Sequence, residues 1–595
     1  MKSFFKTVSA VVVGVILAGI IMFLLGIGFI SSLAAVGSAQ TALPKSGVLV
    51  LDMSSIALSE QSMEQDPVSS LRSRGVESIG LWKAVQAINA AADDPAVKYI
   101  YIKADGASGG IAQLQELRKS LANFRSSGKP VISYIESPST AAYYLASVAD
   151  KVYMTSYQGA TTMVIGIGSQ LVFLKDLLDK LGVNVQLIRH GKYKSAGEMY
   201  IKNAPSPENL EQNQVMIDAV WASYAAEIAA SRDLTVEQVN AAIDNLALNF
   251  PEDFLNAGFV DELMSRDELQ SKLADLAVVD SYKDIKPMSL SAYISAKVLP
   301  NVKAKSKIAI LFADGEIVDG SEKTAVASDR FAREIEKIRN DESVKAVVFR
   351  VNSPGGSVLA SEKIKAEIEL LRAEKPVVAS YGNYAASGGY WISNSCDKIY
   401  SDATTLTGSI GVFSMIPEFS KTIKDFAHVN VTMVSSNKHS DMYSLMRPFD
   451  AAELDYMQAS VETIYDRFVS IVSEGRDLEP DFVDSIAQGR VWAGSDALGI
   501  GLVDEIGTLE DAVNWAASAA GNPDLKAWNV VEYPKVPTSM EMLMEMMGGS
   551  GSAENAFTGT PFESVADALI GWSSKIKRNP ADVMFARIPY AMEIR

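Results

Sequence analysis

Cysteine is almost missing from this chain: among 595 residues only Cys396 carries a thiol. A lone thiol excludes an intramolecular disulfide and any metal site built on several cysteines. Histidine is nearly as scarce, at His190, His428 and His439, so a histidine metal centre is poorly supplied. No dinucleotide fingerprint and no carboxylate dyad stands out, and no cofactor or metal is expected. Basic charge is in deficit, with a net charge of -18. That argues against nucleic acid as a partner, because phosphate binding needs a basic surface. The acidity reads as solubility. Long apolar runs are missing beyond the N-terminus: Met540 to Met547 is too short to span a bilayer and carries Glu541 and Glu545.

One such run is present. Lys2 and Lys6 precede an uncharged stretch from Thr7 to Pro44. Its core, Val8 to Ile30, reaches the about 20 residues that a bilayer's hydrocarbon requires. A cleaved signal peptide has a shorter apolar region, roughly 7–15 residues. Length therefore favours an uncleaved anchor, although Val36-Gly37-Ser38-Ala39 resembles a cleavage site. The lysines should stay cytoplasmic, which puts everything after residue 45 on the far side.

The rest of the chain repeats itself. Ala96-Val97-Lys98-Tyr99-Ile100 reads like Ser343-Val344-Lys345-Ala346-Val347, Lys129-Pro130-Val131 like Lys375-Pro376-Val377, and Gly258-Phe259-Val260-Asp261-Glu262 like Gly501-Leu502-Val503-Asp504-Glu505. The offset stays near about 245 throughout, which points to a tandem duplication of a domain of roughly 230 residues. Within each copy, short apolar strands such as Lys307 to Phe312 and Val344 to Val351 alternate with amphipathic helices such as Ser361 to Arg372. Alternation of this kind predicts an α/β fold with a largely parallel sheet. The expected division is an anchor over 1–45, a first repeat over 46–264, a connection over 265–306, a second repeat over 307–534 and a tail over 535–595.

Chemistry concentrates in the second repeat. Tyr384-Ala385-Ala386-Ser387-Gly388-Gly389-Tyr390 is a turn of small residues carrying a serine. Small residues let the backbone turn tightly, so the hydroxyl can project from a strand-to-helix corner. The first amides of the following helix lack internal partners and can face an oxyanion. Upstream, Val351-Asn352-Ser353-Pro354-Gly355-Gly356-Ser357 also joins a strand to a helix. Its paired glycines allow close backbone approach, as an oxyanion or phosphate loop needs. The lysine of a Walker motif is absent, which counts against phosphate.

A serine hydroxyl needs a base. All three histidines lie in segments that read as surface or loop. Lysine is the alternative, since burial disfavours its charged form. Lys194, in Arg189-His190-Gly191-Lys192-Tyr193-Lys194-Ser195-Ala196, follows a strand expected over Val183 to Ile188. On spacing alone it is one lysine among many. Glu198 lies four residues further on, and an ion pair there would keep the amine charged, so a basic role requires Glu198 to point away.

The motifs Asn352-Ser353-Pro354-Gly355-Gly356-Ser357, Ala385-Ala386-Ser387-Gly388-Gly389-Tyr390, Leu406-Thr407-Gly408-Ser409-Ile410-Gly411 and Tyr193-Lys194-Ser195-Ala196 resemble, in type and order, those of the signal peptide peptidase A family, in its duplicated protease IV form. The resemblance runs from residue 45 to about 525, with the N-terminal anchor besides. It implies the caseinolytic protease and crotonase type of fold, a spiral of ββα units in each repeat. It implies a Ser-Lys dyad with Ser387 as nucleophile and Lys194 as general base. Gly356 and Gly388 would give the oxyanion amides, and Ser409 would orient the lysine. It further implies a homotetramer at the bacterial inner membrane, catalytic part on the periplasmic side, degrading signal peptides left in the bilayer. A crotonase-like enzyme acting on an acyl thioester and an inactive membrane scaffold are the alternatives; the anchor and the serine turn argue against the first, Ser387 and Lys194 against the second.

The duplication bears on this assignment. In register, Ser387 falls on Thr140, and Asn352 to Gly356 on Asp105 to Gly109, where the Pro-Gly-Gly is lost. Lys194 falls on Ser440, with Lys438 two positions away. Each repeat keeps what the other has lost, so one site shared between repeats is expected.

Overall fold

The computed structural model describes residues 43–62, 76–536 and 584–587. The expected N-terminal anchor lies outside them; among the described residues no helix is long and apolar enough to cross a membrane.

Two α/β units carry the two halves of the duplication. The first is built on six strands in the order Glu262–Met264, Lys151–Thr155, Val131–Ile135, Val97–Lys103, Gly47–Asp52 and Pro287–Ser289, every neighbouring pair parallel. The central strands are apolar runs, as a parallel sheet covered on both faces requires. The second is built on Lys307–Asp314, Val344–Ser353 and Val377–Ala386, with Asn529–Tyr533 on one edge and Lys398–Ser401 and Leu406–Gly408 on the other side. Only Val491–Ala493 runs antiparallel within it, against Leu406–Gly408. The duplication extends to a long helix in each unit. Pro207–Arg232 starts on the Ser206 side chain and stops at Asp233 with φ 55°. Ala451–Arg476 starts on the Asp450 side chain and stops at Asp477 with φ 53°. Both stops use the left-handed conformation that ends many helices.

The stretch 265–306 is more than a connection. Its helix Arg266–Ala277 and its strand Pro287–Ser289 belong to the first unit, the strand pairing with Gly47–Asp52 just as Asn529–Tyr533 pairs with Lys307–Asp314 in the second. A three-residue strand is too short to show as an apolar run.

A buried charged cluster ties the units together. Arg350 Nε lies 2.7 Å from Glu60 Oε2, and its Nη2 lies 2.6 Å from Glu116 Oε1. All three side chains are at most 1% exposed. Gln113 donates to Glu60, and the Leu509 backbone N–H to Glu116, so the carboxylates are well satisfied. Burial works against the guanidinium's charge, but Glu116 and Glu60 hold it on. Burial, with Glu116 nearby, drives the Asp402 carboxyl well above the usual range.

A third sheet crosses between the units in the order Val326–Ala327, Ile317–Val318, Gly355–Ser357, Met584–Arg587, Phe413–Glu418 and Asn184–Arg189. Its last strand comes from the first repeat, antiparallel to Phe413–Glu418 with Arg189 opposite Phe413 and Asn184 opposite Glu418. Its fourth comes from the C-terminal tail, which sequence composition reads as partly disordered.

Candidate active site

Ser387 sits where the strand Val377–Ala386 gives way to the helix Gly388–Trp391. Its backbone is held at φ 56° and ψ -112°, outside the ordinary wells for a residue with a side chain. Such a conformation costs about 1–3 kcal/mol and persists only where its surroundings impose it. Here the Ser387 N–H donates to the Gly408 carbonyl at 2.8 Å, and the Ser387 carbonyl accepts from the Trp391 N–H at 2.8 Å. Glycine is required next door: a β-carbon on Gly389 would stand 2.6 Å from the Ser353 carbonyl oxygen.

Lys194 reaches this corner from the other repeat. The strand Asn184–Arg189 carries the chain across the seam, and the turn after it drops Lys194 against Ser387. Lys194 Nζ lies 2.8 Å from Ser387 Oγ, and donates to Ser409 Oγ at 3.0 Å and to the Ser409 carbonyl at 3.1 Å. The three residues are at most 1% exposed. Burial alone lowers the lysine to about 7, because a charged amine in a dry site loses its hydration. Among the described residues no carboxylate pairs with it. Glu198 is turned to Arg189, Lys202, Asn209 and the Ser206 N–H instead.

Gly355–Ser357 forms a short strand beside the serine. Gly355 has φ 99°, and a β-carbon on it would stand 2.7 Å from the Gly388 amide nitrogen. A β-carbon on Gly356 would stand 1.9 Å from the Ile317 carbonyl oxygen. The glycine strand and the amide after the serine therefore abut, as two halves of an anion-binding corner must.

The structure thus brings Ser387, Lys194, Ser409, Gly356 and Gly388 to one corner. It keeps the histidines away from it. His190 stacks on Tyr465, His439 bonds Glu453, and His428 lies exposed with φ 53°. His439, Asp450 and Glu453 cluster, but Arg447 already binds Glu453 and Asp441 there. Lys438 is exposed in a turn.

Other supports are silent in sequence. A β-carbon on Gly489 would stand 2.6 Å from Lys194 Cβ, and one on Gly411 3.3 Å from Lys194 Cδ, so two bare backbones make room for the lysine stem. Gln212 donates to the Tyr193 carbonyl and to Ser195 Oγ, and accepts from the Val491 N–H, clamping the lysine turn to the second repeat. Gly411 was visible within a motif; Gly489 and Gln212 had no signal of their own.

This geometry defines a serine hydrolase corner in a duplicated α/β protein, and comparison with known proteins agrees with that class. The profile described as Peptidase family S49 matches twice, over residues 123–280 and 369–522. Protease 4 of Haemophilus influenzae is 35% identical over 521 residues, covering 85% of this chain and 84% of that protein. Protease 4 of Salmonella typhi is 35% identical over 524 residues, covering 85% and 83%. The chloroplastic serine protease SPPA of Arabidopsis thaliana is 30% identical over 488 residues, covering 81% and 72%. The chain belongs to peptidase family S49, and it is a serine-type protease.

Proposed function

We propose that this chain is a membrane-anchored serine endopeptidase that uses a Ser387–Lys194 dyad to degrade signal peptides left in the bilayer after their release from secreted proteins. One observation carries the dyad: the Lys194 amine lies 2.8 Å from the Ser387 hydroxyl, buried, with no carboxylate among the described residues to hold it charged. Neutral Lys194 accepts the hydroxyl proton as Ser387 Oγ attacks the scissile carbonyl. The Gly356 and Gly388 amides face the charge that develops on the carbonyl oxygen. The lysine then gives its proton to the leaving amine, and afterwards activates the water that frees the acyl-enzyme. Ser409 accepts from the amine and fixes its direction.

The same reading places the catalytic part on the periplasmic side of a bacterial inner membrane, held by the N-terminal segment, as a homotetramer. The two parallel sheets and the third sheet that crosses between the units support the caseinolytic protease and crotonase type of spiral. An apolar substrate fits the slot beside Gly355–Ser357, where an extended peptide adds as a strand.

The test is cleavage of an apolar peptide reporter by the full chain in detergent. Ser387→Ala and Lys194→Ala should each lower kcat by about 10⁴-fold or more, as loss of a nucleophile or its base does. Unchanged cleavage in Lys194→Ala would sink the dyad.

A further inference from the structure

The mechanism uses the tip of Lys194; the hold on its stem, and its dryness, come from a neighbouring segment. Residues 487–490, between the helix Pro480–Ile486 and the strand Val491–Ala493, form a strap over it. Gln488 and Gly489 both take the left-handed conformation, at φ 54° and 77°, so the strap kinks sharply. At the kink the Gln488 carbonyl accepts from the Tyr193 N–H at 3.0 Å, and the Gly489 N–H donates to the Ile410 carbonyl at 2.8 Å. The Arg490 carbonyl accepts from the Ser409 N–H at 2.7 Å. One short segment of the second repeat thus touches both the turn that carries Lys194 and the turn that carries Ser409.

A single side chain ties the strap down. The Arg490 guanidinium stands over two rings, 4.8 Å from the centre of Tyr193 and 4.4 Å from that of Trp492, where a cation is attracted to both faces. Its Nη1 donates to Tyr193 Oη at 3.3 Å and lies 3.4 Å from Glu211 Oε1, and Tyr193 Oη donates to the same carboxylate. Tyr193 immediately precedes the base. Trp492 backs the nucleophile: a β-carbon on Gly408 would stand 2.9 Å from Trp492 Cδ1, and the Gly408 carbonyl accepts from the Ser387 N–H. Arg490 therefore joins the base side of the corner to the nucleophile side. The other charges nearby are Arg189, which donates to the Lys194 carbonyl and pairs with Glu198, and Lys192, whose amine lies 5.0 Å from the centre of the Tyr193 ring. The serine turn and residues 408–411 carry none.

We infer that Arg490 is a positioning residue for the reaction: it locks the lysine turn of the first repeat to the strap of the second, and so holds the Lys194 amine dry and aimed at Ser387. This rests on the dyad reading above. Without the clamp the strap loosens, water reaches the amine, and its charged form is favoured. Loss of the nearby guanidinium charge pushes the same way. The amine is then free to accept a proton only at higher pH.

The test is the pH profile of kcat for reporter cleavage by the full chain in detergent, scaled to the folded fraction read by circular dichroism. Arg490→Met should move the rise in activity upward by about one pH unit, which lowers kcat about fivefold at pH 7 and hardly at pH 9. Tyr193→Leu removes the ring and the hydroxyl that the guanidinium grips. It should shift the rise in the same way, and the double variant no further. If Arg490→Met does not fold, Tyr193→Leu decides alone. A rise at the wild-type pH overturns the inference, and so does a loss equal at pH 7 and pH 9, which is what a merely loosened fold would give. Shifts that add in the double variant also overturn it, since the two residues would then act apart. A wild type with no rise between pH 6 and 9 removes the lysine base, and this inference with it.

Discussion

The two repeats share a framework and differ at the corner where chemistry would sit. In the second, Ser387 meets a buried amine and a glycine strand. In the first, the Thr140 hydroxyl donates to the Met163 and Gly166 carbonyls, so it is tied to backbone. Asp105, at the place of Asn352, accepts from the Glu136 and Ser137 N–H groups. The first repeat has turned its corner into structure and sends its lysine elsewhere. Among the described residues, the seam that delivers the lysine is also made once. Asn184–Arg189 is paired with Phe413–Glu418. The counterpart of the first strand, residues 430–435, is unpaired coil with Val431 49%, Met433 50% and Val434 94% exposed. The counterpart of the second, 167–172, is also coil, with Val172 58% exposed. Duplication has left one half-seam open in each repeat. Joined head to tail between copies, they would repeat the internal seam.

The largest expected effect tests whether the repeats are one cooperative unit. Arg350→Met leaves Glu60 and Glu116 buried without their cation and should cost about 3–5 kcal/mol of stability. Denaturant unfolding followed by both fluorescence and circular dichroism reads it. An unchanged midpoint would mean that the cluster does not join the units.

The seam comes next. Val434 is the counterpart of Ile188, which is 5% exposed. Val434→Asp should reduce the particle mass seen by light scattering, without changing the melting temperature of the single chain. A wild type that already runs as one copy would remove the head-to-tail seam.

Smaller effects sharpen the difference between the two corners. Ser409→Ala removes one acceptor from the Lys194 amine and should lower kcat about tenfold, the worth of one hydrogen bond. Its pH profile should show the cause. Burial lowers Lys194 to about 7, so below that pH the amine carries its proton and cannot accept another. Activity should therefore rise with pH through about 7, and a flat profile from pH 6 to 9 would count against a lysine base. Least affected is Thr140→Val, which loses hydrogen bonds to two backbone carbonyls. It should cost about 1 kcal/mol in thermal unfolding and leave reporter cleavage per folded molecule unchanged.

Much of this was legible in the sequence where local pattern and structure agree. The strands Lys307–Asp314 and Val344–Ser353 and the helix Ala451–Arg476 are apolar runs and periodicities that needed no partner to be recognised. The serine turn was readable because tight turns demand small residues. Lys194 was not readable from spacing: its base-like character comes from burial by Gly411, Gly489 and Ser409, all distant in sequence. It entered through family resemblance. Residues 429–434 show the converse: Val429, Val431 and Met433 alternate as in a strand, yet the segment is coil, with no strand partner among the described residues. The Met584–Arg587 strand was missed for a related reason. It is held by main-chain pairing on both sides, which composition does not record.

That pairing has a consequence for selection among targets. Met584–Arg587 is paired on both edges inside the third sheet, and any chain that takes its place must offer its backbone to neighbours on two edges at once. A helix has already spent its amides and carbonyls, and a folded domain cannot thread a single extended strand between two fixed ones. The slot therefore reads chain conformation before it reads side chains. On the proposed reading, an enzyme built this way would act on extended chains and spare folded proteins beside it.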